Sequence, residues 1–121
     1  MIYLAGPYSH PSKEVMAHRA ELHAHAAATL LIRGYHPYSP IAHWHEIALT
    51  HRLPTHAEFW HNHNRAMVAK SSILLGLTLE GWQESTGMNM EMRFATECGV
   101  PVRMSSIEEL KDITFYLTGD L

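Results

Sequence analysis

Residues 72–77 read Ser72-Ile73-Leu74-Leu75-Gly76-Leu77, a nearly all-apolar run in the second half of the chain. A strand that is apolar on both faces is typical of a parallel sheet covered by helices on both sides. The run is far shorter than the roughly 18 apolar residues that a membrane span needs. We therefore predict that it forms a buried central strand of an α/β domain.

Strand and helix signals alternate along the rest of the chain. The other predicted strands are residues 1–5, 35–38 and 100–103. The predicted helices are residues 13–33, 41–51, 56–70, 87–97 and about 106–117. This order predicts a single domain over residues 1–121, in which helices cover both faces of a mostly parallel sheet. Ligands of such folds bind at the carboxyl ends of the strands, so the candidate binding loops are residues 6–12, 39–45 and 78–87.

The composition argues against several classes of protein. The formal net charge is −3 and Lys and Arg form no cluster, whereas a binder of duplex nucleic acid needs a basic face. Cys98 is the single cysteine, which excludes an intramolecular disulfide and is consistent with a reducing compartment. The first residues lack the pattern of a secretion signal. We therefore expect a soluble cytoplasmic protein with no membrane partner and no duplex nucleic-acid partner.

All eleven histidines lie between His10 and His63. Three pairs have i, i+2 spacing, namely His23/His25, His43/His45 and His61/His63. On a helix this spacing places the two rings on opposite sides, which is unfavourable for a shared metal ion. The chain also lacks the H-E-x-x-H pattern and any cysteine cluster, so we expect no metal and rank a histidine metal site last among the hypotheses. His43 is kept as a candidate because it lies in the second binding loop.

Glu91 is the strongest candidate for chemistry. It lies in or beside the apolar stripe of its predicted helix, which consists of Met88, Met92, Ala95 and Cys98. A carboxyl group in that position loses part of its hydration, so its pKa should rise. Alternatively, the side chain reaches past the stripe to water or pairs with Arg19 or Arg93. Its position one turn into the helix after the third strand favours a functional role.

The turn before this helix is a candidate anion site. Ser85-Thr86-Gly87 would present two hydroxyls, free backbone N–H groups and the positive end of the helix dipole, a combination that suits a phosphate. Ordinary helix capping by Ser85 or Thr86 explains the same residues. The turn alone does not decide between these two interpretations.

The first loop, residues 6–12, offers small and hydroxyl-bearing residues to a ligand. Gly6 permits close approach to the backbone, and Tyr8, Ser9 and Ser12 carry hydroxyls. The loop lacks the G-x-G-x-x-G and G-x-x-x-x-G-K-[ST] spacings, so NAD, FAD and ATP are not expected, and we predict no cofactor.

Three other side chains have two interpretations each. Arg19 falls inside the apolar stripe of the first helix, where it either has a structural partner or reaches a ligand phosphate. Asn64 shares a helix face with Trp60 and belongs to the core or contacts a sugar. Trp82 shields its loop or covers a base.

Several short segments, taken in order, form a family pattern. They are Ile2-Tyr-Leu-Ala-Gly-Pro7, Tyr38-Ser39-Pro40-Ile41 with His43, Phe59-Trp60, Gly81-Trp82, Ser85, Gly87, Glu91 through Ala95, Gly99, Pro101 and Val102. In order and spacing they resemble the nucleoside 2-deoxyribosyltransferase superfamily, and its small phage and bacterial members most of all. The resemblance covers about residues 1–103. It implies a flavodoxin-like or Rossmann-like three-layer sandwich with about five strands, and a homodimer or larger homo-oligomer.

The resemblance also implies an activity. In that superfamily a glutamate on the helix after the third strand attacks the anomeric carbon of a deoxynucleoside or its 5′-monophosphate, and Glu91 matches that position. Tyr8 matches a first-loop residue near the nucleophile, so it is the second predicted catalytic residue. The predicted substrate-binding residues are Gly6, Ser9, His43, Asn64, Trp82, Ser85, Thr86 and Gly87.

The chain departs from the superfamily pattern at three acidic positions. Ser85 replaces an aspartate six residues before the nucleophile, Asn64 aligns with another aspartate, and Ser72 stands where an acid usually begins the third strand. Loss of a negative charge near the sugar favours a nucleotide over a nucleoside. We therefore predict an N-glycosidase acting on a nucleoside 5′-monophosphate. Base exchange by a deoxyribosyltransferase and a non-catalytic nucleotide-binding module are the alternatives.

Overall fold

The computed structural model describes residues 1–115 and residue 121. The strands are β1 (Ile2–Ala5), β2 (Pro37–Tyr38), β3 (Ile73–Leu77) and β4 (Val102–Ser105). The α-helices are α1 (Lys13–Ile32), α2 (Pro40–Thr50), α3 (Ala57–Ala69) and α4 (Thr86–Glu97). Short 3-10 turns cover Trp82–Glu84 and Glu108–Lys111.

The four strands form one parallel sheet in the order β2-β1-β3-β4. Ile2 pairs with Ile73 across the two central strands, and Leu74 pairs with Val102. The fold is thus an α/β sandwich of the Rossmann-like or flavodoxin-like kind, as predicted. The alternation of signals along the chain predicted four strands, whereas the fifth came from the family resemblance and is absent from the described residues.

Alternate residues of the central strands point to opposite faces of the sheet and build two separate cores. Ile2, Leu4, Leu75 and Leu77 pack against Ala26 and Leu30 of α1. Tyr3, Ala5 and Leu74 pack on the other face against residues of α3 and α4, namely Val68, Met88 and Ala95. Every residue of β1 and β3 is buried, which explains why residues 72–77 read as a continuous apolar run.

Local capping signals place the helix ends close to their predicted positions. The Ser12 hydroxyl accepts a hydrogen bond from the Val15 amide at the start of α1, and Gly34 follows its end with φ of 91°. At the start of α4, the Ser85 hydroxyl accepts from the Met88 amide. Tertiary packing was not needed to predict these boundaries, because each depends on residues a few positions apart.

Two predictions at the end of the chain were wrong in detail. Strand β4 begins at Val102 rather than at residue 100, because Val100 is buried in the second core and Pro101 has no N–H to contribute to a ladder. The predicted last helix is replaced by the 3-10 turn Glu108–Lys111. Ser106 precedes this turn, where its hydroxyl donates to the Glu109 carboxylate and accepts from the Glu109 amide. Residues 116 and 117 of that prediction lie outside the described residues.

Within residues 1–115 and residue 121, no helix is both long enough and apolar enough to cross a bilayer.

His23 is a fully buried histidine on the sheet-facing side of α1. Met16 and His23 are buried on this helix, whereas the apolar residues Val15 and Leu22 are only partly buried. Neither ring nitrogen of His23 has a hydrogen-bond partner among the described residues. Burial lowers the pKa of His23 to about 4, so the ring is neutral in the folded protein at physiological pH.

We predict that His23 makes the protein sensitive to acid. The ring titrates near its ordinary pKa of 6.5 in the unfolded chain and near 4 in the folded protein. The folded state therefore binds fewer protons between these values, and the free energy of unfolding falls as the pH drops from 6.5 to 4. His23→Leu should remove about 2–3 kcal/mol of that fall, measured by urea unfolding at pH 7.5 and 4.5.

His18→Gln is the control, since His18 is exposed on the same helix. If the free energy of unfolding of His23→Leu falls between pH 7.5 and 4.5 as much as that of the unaltered protein and of His18→Gln, then His23 is not the responsible group.

Candidate active site

A cavity of about 400 Å³ lies beside the end of β1 and the start of α4. Its walls come from the first loop, from α2 and α3 and from α4, and they include Gly6, Tyr8, Ser9, Asn64, Ser85, Thr86, Gly87 and Glu91. The volume falls within the range of about 300–1,000 Å³ that is typical of small-ligand sites. The cavity lies where parallel α/β sheets bind their ligands, near the carboxyl ends of the strands.

Glu91 is partly buried in this cavity and is held by the central sheet. The hydroxyl of Tyr3, from β1, donates a hydrogen bond to the Glu91 carboxylate. Burial raises the pKa of Glu91 to about 7, and the hydrogen bond from Tyr3 acts against that rise. Burial also raises the pKa of Tyr3 well above its ordinary value, so its hydroxyl stays protonated.

No cation compensates the charge of Glu91 among the described residues. Arg93 is exposed, and Arg19 is engaged elsewhere, so neither alternative partner considered from the sequence pairs with this carboxylate. A carboxylate that is desolvated, uncompensated and open to a cavity is a typical feature of a reactive site rather than of a structural ion pair.

Tyr8 lies in the cavity wall with Glu91, but its hydroxyl contacts His45 of α2. Its hydroxyl lies 2.7 Å from Nδ1 of His45, and the two rings meet edge to face. Both residues line the cavity. The partner of Glu91 is Tyr3, because Tyr3 lies on the strand directly beneath α4, while Tyr8 lies beyond the end of β1 in the first loop.

Two residues of α1 hold the first loop in place. The Arg19 guanidinium donates to the carbonyls of Tyr8 and Ser9, at 3.3 and 3.0 Å, and to the Glu80 carbonyl at 3.3 Å. Its role is therefore structural. His23 lies directly under Gly6, where an added Cβ would be 2.5 Å from the ring. Position 6 thus needs glycine for packing, in addition to any close approach of a ligand.

The start of α4 combines capping with exposure to the cavity. The Ser85 hydroxyl is used as the helix cap, while Thr86 is exposed and Gly87 approaches Ala57 of α3. All three residues of the Ser85-Thr86-Gly87 turn line the cavity. Capping therefore occurs, and it leaves the other groups of the turn facing the space a ligand would occupy.

Helix α3 supplies a guanidinium and an amide to the cavity wall. Arg65 stacks over the Phe94 ring at 4.2 Å and donates to Nε2 of His61 at 3.0 Å. No carboxylate in the described part of the chain pairs with Arg65. The Oδ1 atom of Asn64 is buried without a hydrogen-bond partner among the same residues. Arg65, which is exposed, is therefore available to an anionic ligand, whereas Asn64 Oδ1 is closed off from solvent.

Two predicted binding residues lie outside the cavity wall. His43 is exposed, with its ring packed edge-on against Trp44. Trp82 packs against the second core cluster and so shields its loop, which is the structural interpretation. The residues of α2 that line the cavity are Pro40, Ile41, Trp44, His45 and Ala48, because the helix turns the side chain at position 43 away from the face that these residues share.

Sequence reasoning missed several residues that build the site, either in the cavity wall or directly behind it, and some of them carry a signal in the sequence. Tyr3 is one, since a hydroxyl within an otherwise apolar buried strand needs a hydrogen-bond partner. Arg65 is another, because it follows Asn64 and lies one turn after His61 on the same helix. The approach of His45 to Tyr8 has no such signal, since the two residues are 37 positions apart.

No group of three or more histidine, cysteine, aspartate or glutamate residues is arranged to hold a metal ion within residues 1–115 and residue 121. His61 accepts a hydrogen bond from Arg65, and His56 lies 3.1 Å from Glu58. The cavity histidines therefore have other partners nearby.

The fold and the site together define a small α/β protein with a ligand cavity beside the central strands. Comparison with protein families identifies the chain as a member of the family described as domain of unknown function DUF1937, which matches residues 1–107. Every residue of the cavity falls within that match. No curated protein matches the chain.

We predict that Tyr3→Phe raises the pKa of Glu91 above about 7. The substitution removes the one hydrogen bond that favours the ionised carboxylate among residues 1–115 and 121, and it leaves the burial unchanged. A pH titration of the glutamate carboxyl carbons by NMR measures the change. Tyr35→Phe is the matched control, because Tyr35 packs against the other core. An unchanged or lower pKa in Tyr3→Phe would show that the hydroxyl does not stabilise the carboxylate.

Proposed function

We propose that the chain is an N-glycosidase that cleaves the base–sugar bond of a nucleoside or deoxynucleoside 5′-monophosphate, with Glu91 as the nucleophile. The observation that carries the proposal is the placement of Glu91, whose carboxylate is desolvated, lacks a cationic partner among the described residues and faces a ligand-sized cavity. The resemblance to the nucleoside 2-deoxyribosyltransferase superfamily supports the choice of reaction.

The reaction proceeds in two displacements at the anomeric carbon. In the first, a Glu91 carboxylate oxygen bonds to the anomeric carbon while the bond to the base breaks, and the base leaves with a proton. In the second, water attacks the same carbon, the ester bond to Glu91 breaks, and the free sugar phosphate leaves with the original configuration. Tyr3 keeps the carboxylate oriented between the two steps.

The rest of the cavity suits the other parts of a nucleotide. The backbone N–H groups at Thr86 and Gly87, the Thr86 hydroxyl and the Arg65 guanidinium, which has no carboxylate partner among the described residues, can hold a phosphate. Asn64 also lines the cavity, and its side-chain amide is a group of the kind that binds a sugar hydroxyl or a base amine. Trp44 and Trp60, whose rings lie 5.6 Å apart, offer aromatic surface to a base.

The proposal keeps the remaining expectations drawn from the sequence. The substrate is a small nucleotide, and no cofactor takes part. A homodimer or larger homo-oligomer is implied by the resemblance alone. A cytoplasmic location is consistent with the free, exposed thiol of Cys98.

We predict that Glu91→Gln folds and loses at least about 10³-fold in turnover, because the amide keeps the volume of the side chain but cannot form the ester. Base release from a set of nucleosides and their 5′-monophosphates, followed by chromatography, measures the loss. Glu97→Gln is the control, since Glu97 is exposed at the end of the same helix. Activity that survives in Glu91→Gln rules out this nucleophile.

The same substrate set separates the alternatives. Base release that requires a second, free base identifies a deoxyribosyltransferase instead of a hydrolase. Thermal stabilisation by a nucleotide without any base release, even at high protein concentration, identifies a binding module. Release from nucleosides but not from monophosphates argues against a phosphate site at Arg65 and the start of α4.

We further predict that the rate of the first displacement falls as the pH drops below about 7. Only the ionised carboxylate is a nucleophile, and burial raises the pKa of Glu91 to about 7. Below that value the rate should fall about tenfold for each pH unit. Single-turnover base release between pH 5 and 8 measures this pH dependence. A rate that does not change from pH 5 to 7 would contradict the assignment of Glu91 as the nucleophile.

A further inference from the structure

The contact between Tyr8 and His45 is not used by the reaction as described so far. It joins the first loop to α2 across the cavity wall, with the Tyr8 hydroxyl 2.7 Å from Nδ1 of His45. Nε2 of His45 has no hydrogen-bond partner among the described residues. A histidine that is fixed through one nitrogen and free at the other is arranged to transfer a proton.

The proposed reaction needs such a group, because a nucleobase is a poor leaving group as an anion. Protonation of a ring nitrogen or a carbonyl oxygen of the base makes its departure feasible, and a general acid typically contributes about 10²–10⁴-fold to the rate. Glu91 cannot serve both as nucleophile and as acid in the same step. Asn64, which stands near Glu91 in the cavity wall, carries no acidic proton.

The other titratable groups of the cavity wall are less suited to this role. Nε2 of His61 already accepts a hydrogen bond from Arg65. His56 lies against Glu58, and both side chains are largely exposed to solvent. Glu84 is exposed as well. Burial and the nearby carboxylate of Glu46 raise the pKa of Tyr8, which keeps it a hydroxyl.

We propose that His45 is the general acid that protonates the departing base, with Tyr8 as its positioning residue. The proposal rests on the proposed function and adds a second catalytic residue to it. The Tyr8 oxygen accepts the Nδ1 proton of the imidazolium, which leaves the Nε2 proton for the base.

The proton balance closes over the two displacements. In the first, the bond between the base and the anomeric carbon breaks, the bond to Glu91 forms, and the Nε2 proton of His45 moves to the base, which leaves neutral. In the second, neutral His45 takes a proton from the attacking water as the ester bond to Glu91 breaks. Both residues then return to their starting states.

The test compares two leaving groups in the same protein. One substrate is a deoxynucleoside 5′-monophosphate that the unaltered protein cleaves, and the other is the 5′-phosphorylated deoxyriboside of 4-nitrophenol, which leaves without a proton. His45→Gln should lower base release by about 10²–10⁴-fold and nitrophenol release by less than about fivefold. Tyr8→Phe should show a smaller loss, also confined to the natural base. His51→Gln is the control, because His51 is exposed just beyond the end of α2.

Nitrophenol release by His45→Gln also shows that the variant is folded and retains its nucleophile. Equal losses with both leaving groups, or no loss with either, would overturn the role of His45 while leaving Glu91 in place. If the unaltered protein releases neither a base nor nitrophenol, the proposed function fails, and the role of His45 fails with it.

Discussion

The hydrogen bond from Tyr3 to Glu91 is the interaction on which the site depends. It joins the most buried part of the molecule, a central strand, to the first turns of α4. The carboxylate has no other hydrogen bond and no cation among the described residues, so burial dominates its pKa. A charged group in such a place is costly unless it has a partner. The protein therefore maintains a carboxyl group that is close to half ionised near neutral pH.

The cavity around this carboxyl group has one part with positive groups and another part with aromatic surface. Arg65 and the start of α4 present positive or partly positive groups, whereas Trp44 and Trp60 present aromatic surface. A ligand with an anionic end and a flat, weakly polar end would match this division. Nucleotides have this form, with a sugar between the two ends.

Local sequence signals were sufficient to predict most of the fold. The structure confirms the buried strand within residues 72–77 and the capping interpretation of Ser85, and both depend on neighbouring residues. The Ser12 cap and the turn at Gly34 are local features of the same kind. The site was harder to predict from the sequence, because its most important contacts join distant parts of the chain. Tyr3 and Glu91 are 88 positions apart, and only their pairing in space explains why Tyr3 is found in an apolar strand.

The first loop is supported from the opposite layer of the sandwich. Arg19 and His23 both belong to α1, which packs on the sheet face away from α3 and α4. Arg19 nevertheless donates hydrogen bonds to two carbonyls of the loop, and His23 fills the space beneath Gly6. The shape of the binding cavity is therefore set partly by side chains that no ligand could touch. Sequence changes in α1 would be transmitted to the cavity through the backbone of this loop, so selection for ligand preference could act at a distance from the ligand.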